Sequence, residues 1–188
     1  MKKILITGFE PFGGAERNIS AEVALGIGDM YDSVVAKVLP VSFSKAPAML
    51  LHEIRSVRPD IILMLGLASK RHEVSIERIA INLMDSVKPD NDGYLPKNEK
   101  ISSRGREAYF TSFPVREIAS AVEASGIPST VSNSAGLYVC NSVYYSALQY
   151  VARSRRKVSA LFVHLPLMDV HQAVKSVDTI IGEIIKDE

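Results

Sequence analysis

With one cysteine, Cys140, in 188 residues, no disulfide can form within the chain. That excludes a small disulfide-stapled fold and agrees with a reducing compartment. Long apolar runs are missing too: none approaches the ~18 residues that a membrane helix needs. The apolar stretch behind Lys2 and Lys3 ends at Thr7-Gly8, too short for the core of a signal peptide. Nor is there an excess of one charge, since 22 Lys and Arg face 21 Asp and Glu for a formal +1, and no basic stripe offers to neutralise a line of phosphates. His, Cys and acidic residues do not recur at metal-ligand spacing. The expectations are a cytoplasmic protein with no nucleic-acid partner, no membrane and no metal.

What is present is ordinary globular material, 47% hydrophobic and 23% charged. A chain of this length suits one domain, here residues 1–188, and buries roughly 70% of the surface its unfolded form exposes. Lys2 to Thr7, Ser33 to Leu39 and Ile61 to Leu65 read as strands, as do Ser75 to Leu83, Thr130 to Ser132 and Ala160 to Val163. Helical patterns fall at Ser20 to Ile27, at Ser44 to Val57 with Ala48, Leu51 and Ile54 on one face, and at Val115 to Ala124. Two more run from about Val139 to Ala152 and from Asp169 to about Ile185. This alternation predicts an α/β fold, a mostly parallel sheet with helices on both faces. Residues 86–112 are the one long irregular region, with Asp90-Asn91-Asp92-Gly93 reading as a turn.

In such sheets ligands gather beyond the carboxyl ends of the strands. Three segments lie there. Gly8-Phe9-Glu10-Pro11-Phe12-Gly13-Gly14 matches neither GxGxxG nor a P-loop, but it puts two phenylalanines on a rigid loop, against which a flat apolar ring can lie. Cys140 falls in or near the first turn of a helix, where the partial positive charge favours a thiolate and free backbone amides can hold an oxyanion. A buried small hydrophobe is the plainer alternative for that residue. Leu161-Phe162-Val163-His164 is a strand ending in histidine, and His164 is the residue placed to serve Cys140 as a base. His52, His72 and His171 sit in polar or helical surroundings. Glu77 is the odd residue of its strand, sharing a face with Ile79, Ile81 and Leu83 by the period of two. A strand-end Glu turning to solvent and a carboxylate orienting a histidine fit it equally well. Arg153 to Lys157 reads as a solvated helix end, and Tyr144 and Tyr145 as helix packing.

Five runs, GFEPFGG (8–14), SIERIAIN (75–82), PDNDG (89–93), SNSAGLYVCN (132–141) and FVHLP (162–166), resemble the pyroglutamyl peptidase I family, in its order and spacing. The resemblance implies a three-layer αβα sandwich of the phosphorylase/hydrolase-like type and a Cys-His-Glu triad formed by Cys140, His164 and Glu77. It further implies no cofactor, small peptide substrates with an N-terminal pyroglutamate, and a homo-oligomer, often a tetramer. Phe9 and Phe12 match the family residues that flank the pyroglutamate ring, with backbone near Val139; Asn18 and Arg71 match positions near the pocket. Two departures stand out. Lys70 precedes Arg71 where relatives usually carry glycine, and the stretch between His164 and the last helix is shorter than theirs. Beside this reading stand three rivals: an amidase for another small amide, a nucleoside-binding protein of the same fold, and a non-catalytic binding module.

Overall fold

The computed structural model describes residues 2–186; residues 1, 187 and 188 of the expected 1–188 domain lie outside them. Strand β1 (Ile4–Phe9) is followed by α1 (Ile19–Met30), β2 (Val34–Leu39), α2 (Lys45–Val57) and β3 (Ile61–Leu67). Next come β4 (Val74–Glu77), β5 (Ile79–Ile81), β6 (Ala108–Phe110) and α3 (Val115–Ala124). The chain closes with β7 (Ser129–Ser132), α4 (Val139–Arg153), β8 (Ser159–Leu165) and α5 (Val170–Lys186). Six strands form one sheet in the order β2-β1-β3-β8-β4-β7. The first four are mutually parallel, while β4 runs antiparallel to β8 and parallel to β7. The sheet is therefore mixed but mostly parallel, as the alternation of patterns predicts.

Successive side chains of a strand point to opposite faces, and both faces are covered. Ile4, Ile6, Leu63, Leu65, Leu161, Val163, Val74 and Ile76 pack under α1, α3 and α5. Leu5, Phe9, Ile62, Met64, Ala160 and Phe162 face α2 and α4. Helix α2 turns a different side inward from the one its pattern suggests: Ala46, Leu50 and Ile54 are buried while Ala48 is exposed. Spacing of i, i+4 and i+8 is the row that meets the neighbouring helix α4.

Two elements depart from the sequence reading. Strand β1 begins at Ile4 and continues to Phe9, because pairing with β2 runs on to Phe9 and Leu39. Gly8 is thus a strand residue, and a Cβ there would lie 2.1 Å from the Ser20 carbonyl oxygen, so its absence lets α1 start against the strand. The run from Ser75 to Leu83 is not one strand. It breaks at Arg78, whose N–H donates to Ser132, and Ile79–Ile81 leaves the main sheet to pair antiparallel with β6, an element the sequence reading lacks. Glu77 therefore shares its sheet face with Ser75, not with Ile79 and Ile81.

Candidate active site

Strands β3 and β8 end together, with Gly66 aligned to His164. By strand alternation Gly66 and His164 both point toward α4. A Cβ at Gly66 would lie 2.9 Å from the Phe162 ring and 3.1 Å from Cys140 Sγ. The sulfur therefore rests over the bare backbone of β3, one strand away from the imidazole. Residue 66 was not singled out from the sequence, because a glycine in an apolar strand signals close approach without saying of what.

Cys140 is the second residue of α4, and the half-buried thiol lines a cavity of about 550 Å³. No side chain caps the helix, whose N-cap is Tyr138. The first amides of a helix have no acceptor within it, so those of Val139 and Cys140 are left for a ligand at the cavity. The helix terminus, which favours a thiolate, is opposed here. Burial, and then the negative charge of Glu77, push the Cys140 thiol up to about 12, outweighing its own backbone N–H and the more distant Arg71 cation.

His164 is buried and donates from Nδ1 to Glu77 Oε1 at 2.7 Å, since a carboxylate can only accept. That fixes the tautomer and leaves Nε2 as an acceptor. Burial lowers the imidazole below its ordinary value, with the Glu77 hydrogen bond and charge pulling upward and Arg71 downward. Glu77 is fully buried, not turned to solvent. Its Oε1 also receives Arg71 Nη1 at 2.6 Å, while Arg71 Nη2 donates to the Ser134 carbonyl at 2.9 Å. Helix α4 is tied to the same strand end. The Tyr144 hydroxyl donates to the Glu77 carbonyl at 2.8 Å, and the Asn141 amide group serves Ile81 N–H and the carbonyls of Ile81 and Leu83 at 2.9–3.1 Å. Tyr144 and Tyr145 are fully buried, as packing residues should be.

The other residues singled out also converge on this cavity. Phe9, Phe12, Asn18, Arg71 and Val139 all line it. Phe9 is buried against Phe162, and Phe12 stands near Tyr138 with ring centroids 6.3 Å apart. Asn18 is the N-cap of α1: its Oδ1 accepts from the backbone and hydroxyl of Ser20, and its Nδ2 donates to the Glu10 carbonyl at 3.0 Å. It holds the wall at least as much as it faces the space. Tyr138 was missed as a wall residue, though it sits in the run that contains Cys140. The 89–93 turn proves to be a strap outside the pocket. Asp90 accepts from Phe43 N–H at 2.8 Å, Asn91 Nδ2 donates to Glu10 Oε1 and the Pro11 carbonyl, and the Pro89 carbonyl accepts from Tyr138. Away from the site, His52, His72 and His171 are exposed. Among the described residues no group of three or more His, Cys, Asp or Glu is placed to hold a metal ion, and no helix is long and apolar enough to cross a membrane.

The chain is similar to known proteins over nearly its whole length. A family model described as pyroglutamyl peptidase matches residues 2–183. A pyrrolidone-carboxylate peptidase of Thermococcus onnurineus is 40% identical over 168 residues, 88% of this chain and 84% of that protein. Pyrrolidone-carboxylate peptidase 1 of Caldanaerobacter subterraneus is 35% identical over 98% of both chains. The crystal structure of Bacillus amyloliquefaciens pyroglutamyl peptidase I superposes with a TM-score of 0.92 at 33% identity, covering 97% of this chain and 96% of that one. With the same mixed α/β sheet and a match from the first strand into the last helix, the chain belongs to the pyroglutamyl peptidase family.

Proposed function

We propose that the protein is a cysteine peptidase that removes an N-terminal pyroglutamyl residue from small peptides, with Cys140 as nucleophile, His164 as base and acid, and Glu77 as the group orienting the imidazole. The observation that carries the reading is the packing of Cys140 Sγ over Gly66, the residue aligned with His164, at the open end of α4. The Cys140 proton passes to His164 Nε2 as sulfur bonds to the pyroglutamyl carbonyl carbon. The oxyanion then lies at the free amides of Val139 and Cys140. Collapse of that adduct breaks the C–N bond, His164 returns the proton to the leaving amine, and water hydrolyses the thioester with His164 again as base. Glu77, held by Arg71, keeps Nδ1 protonated through both halves. This chemistry calls for no cofactor. The same reading takes residues 1–188 as one catalytic domain working in the cytoplasm.

In this reading Phe9 and Phe12 flank the ring, and backbone groups near Val139 meet its lactam. Pyroglutamate differs from proline in a lactam carbonyl, which turns the ring nitrogen into a neutral N–H donor. A prolyl substrate would leave the backbone partners unpaired and bring a charged nitrogen to be desolvated. A site that hydrogen-bonds its substrate rejects an analogue lacking the group by about 10⁴-fold or more, whereas apolar shape alone gives roughly 10- to 200-fold. We expect kcat/KM for a pyroglutamyl fluorogenic amide to exceed that for the prolyl amide by at least roughly 10³-fold. A ratio below about tenfold would mean that the slot reads shape only, and the amidase reading would replace this one.

A further inference from the structure

The cavity wall carries charge of one sign. Lys70 and Arg71 both line it, and no carboxylate does. The Arg71 charge is already matched by its ion pair with Glu77. Lys70 is exposed and has no hydrogen-bond or ion-pair partner among the described residues.

The position of Lys70 relative to the reaction follows from the strand ends. The leaving amine takes its proton from His164, so the departing peptide lies on the His164 side of the cavity. Segment 67–71 forms that side: Leu67 is aligned with Leu165, Ala68 N–H donates to the Leu165 carbonyl at 2.8 Å, and Arg71 N–H closes a turn on the Ala68 carbonyl at 2.9 Å. Lys70 sits within that turn on a flexible four-carbon stem. The pyroglutamyl ring is neutral and has no use for a cation, but the residue after it passes here. Farther along, across Arg71, a neighbouring open cleft is lined by His72 and Glu73, so the unmatched positive charge is confined to the cavity mouth.

Resting on the pyroglutamyl reading above, we propose that Lys70 is a specificity-determining residue that selects for a carboxylate side chain immediately after the pyroglutamyl residue. Peptides with Asp or Glu at that position are the better substrates, and those with Lys or Arg the poorer. A charge at the rim of a binding site acts mainly on encounter and is sensitive to salt.

The test uses three peptides, pyroglutamyl-Glu-Ala, pyroglutamyl-Ala-Ala and pyroglutamyl-Lys-Ala, all amidated at the C-terminus so that the side chain supplies the only carboxylate. For the unmodified enzyme at low ionic strength, kcat/KM should fall in that order, by about two- to fivefold per step, the size of an exposed ion pair. At about 1 M salt, where the screening length is only ~3 Å, the steps should shrink toward unity. Lys70→Gln should bring the Glu-to-Lys ratio close to one, and Lys70→Glu should invert it. A Glu-to-Lys ratio of one in the unmodified enzyme, or a preference that survives in Lys70→Glu, overturns the assignment. Turnover of the alanyl peptide reports on the pyroglutamyl reading independently of charge. If none of the three is cleaved, that reading fails and takes the inference with it.

Discussion

The two faces of the central sheet are made from alternate residues of the same strands, yet they are composed differently. Toward α1, α3 and α5 the four strands β1, β3, β8 and β4 present a largely aliphatic surface: Ile4 and Ile6, Ile61, Leu63 and Leu65, Leu161, Val163 and Leu165, Val74 and Ile76. Toward α2 and α4 the same strands begin apolar and then change. Leu5 gives way to Thr7 and Phe9, Met64 to Gly66, Phe162 to His164, while β4 supplies Ser75 and Glu77. Both faces are buried, so exposure does not distinguish them. The first face obeys only packing; the second gives up apolar side chains where the strand ends meet α4, the helix that carries Cys140. A buried polar group costs stability unless it is paired, and on this face the pairing is what assembles the site.

Leu65 and Cys140, on opposite sides of the sheet, sharpen that contrast most. Leu65→Ala removes a fully buried side chain from the packing face and should cost about 2–5 kcal/mol in stability, with kcat kept at temperatures where the variant is folded. Cys140→Ser should do the reverse, leaving the denaturation midpoint near the original while removing nearly all turnover, because a hydroxyl is a poorer nucleophile at a site arranged for sulfur. Chemical denaturation and the pyroglutamyl amide assay, run on both variants, give the comparison. More than a tenth of the original activity in Cys140→Ser would sink the nucleophile assignment.

Gly66→Ala tests the boundary between the two faces. The added methyl meets the Phe162 ring at 2.9 Å and Cys140 Sγ at 3.1 Å, so one of them must move. Displacement of a reacting atom by ~1 Å can lower the rate about 10²-fold. Overpacking should also cost about 1–3 kcal/mol. We expect kcat to fall much more than KM rises, since the added methyl meets Phe162 and Cys140 and neither of the slot residues Phe9 and Phe12. An unchanged kcat would show that the sulfur has room to spare over β3, and that its placement there carries no function.

The element order was legible because period and turn residues are local signals. Cys140 was legible as a helix-start residue for the same reason, and His164 as a strand-end residue. The electrostatics of Cys140 were not: the helix N-terminus favours a thiolate, while burial and the charge of Glu77, from a strand distant in sequence, push the thiol up. Glu77 is odd by the period of two only if its strand continues through Ile79, and that strand breaks at Arg78. Its burial goes with two bonds to its Oε1, one from Arg71 across the turn that precedes β4 and one from His164, far away in sequence. Gly66, Asn141 and the 89–93 strap were beyond reach for the same cause. Each acts through a partner brought up by the fold.

Of the substitutions at the strand ends, Glu77→Gln should cost the least turnover, and its value lies in the pH profile. Arg71 Nη1 donates to the same Oε1 that receives His164 Nδ1, so a glutamine in this place is oriented by Arg71 with its carbonyl toward both donors. The imidazole tautomer is then preserved, and the rate loss should be about 10- to 100-fold, the range found when an outer group that orients an imidazole is removed. The amide nitrogen would take the place of Oε2, a buried atom with no hydrogen-bond partner among the described residues. A new buried donor without an acceptor should cost about 1–3 kcal/mol of stability. For the pH dependence, a base must be neutral to work, so kcat/KM is full above the His164 pKa and falls as pH drops through it. Burial already holds that pKa below the ordinary 6.5, so the acid limb of the unmodified enzyme should lie below it. The Glu77 hydrogen bond and charge both raise His164, and the neutral amide keeps an acceptor for Nδ1 but removes the charge. The acid limb of Glu77→Gln must therefore move to still lower pH while the plateau drops. An acid limb that stays in place would mean that His164 is not the group titrating there, or that Glu77 does not act on it, and the orienting role would then be withdrawn even if activity were reduced.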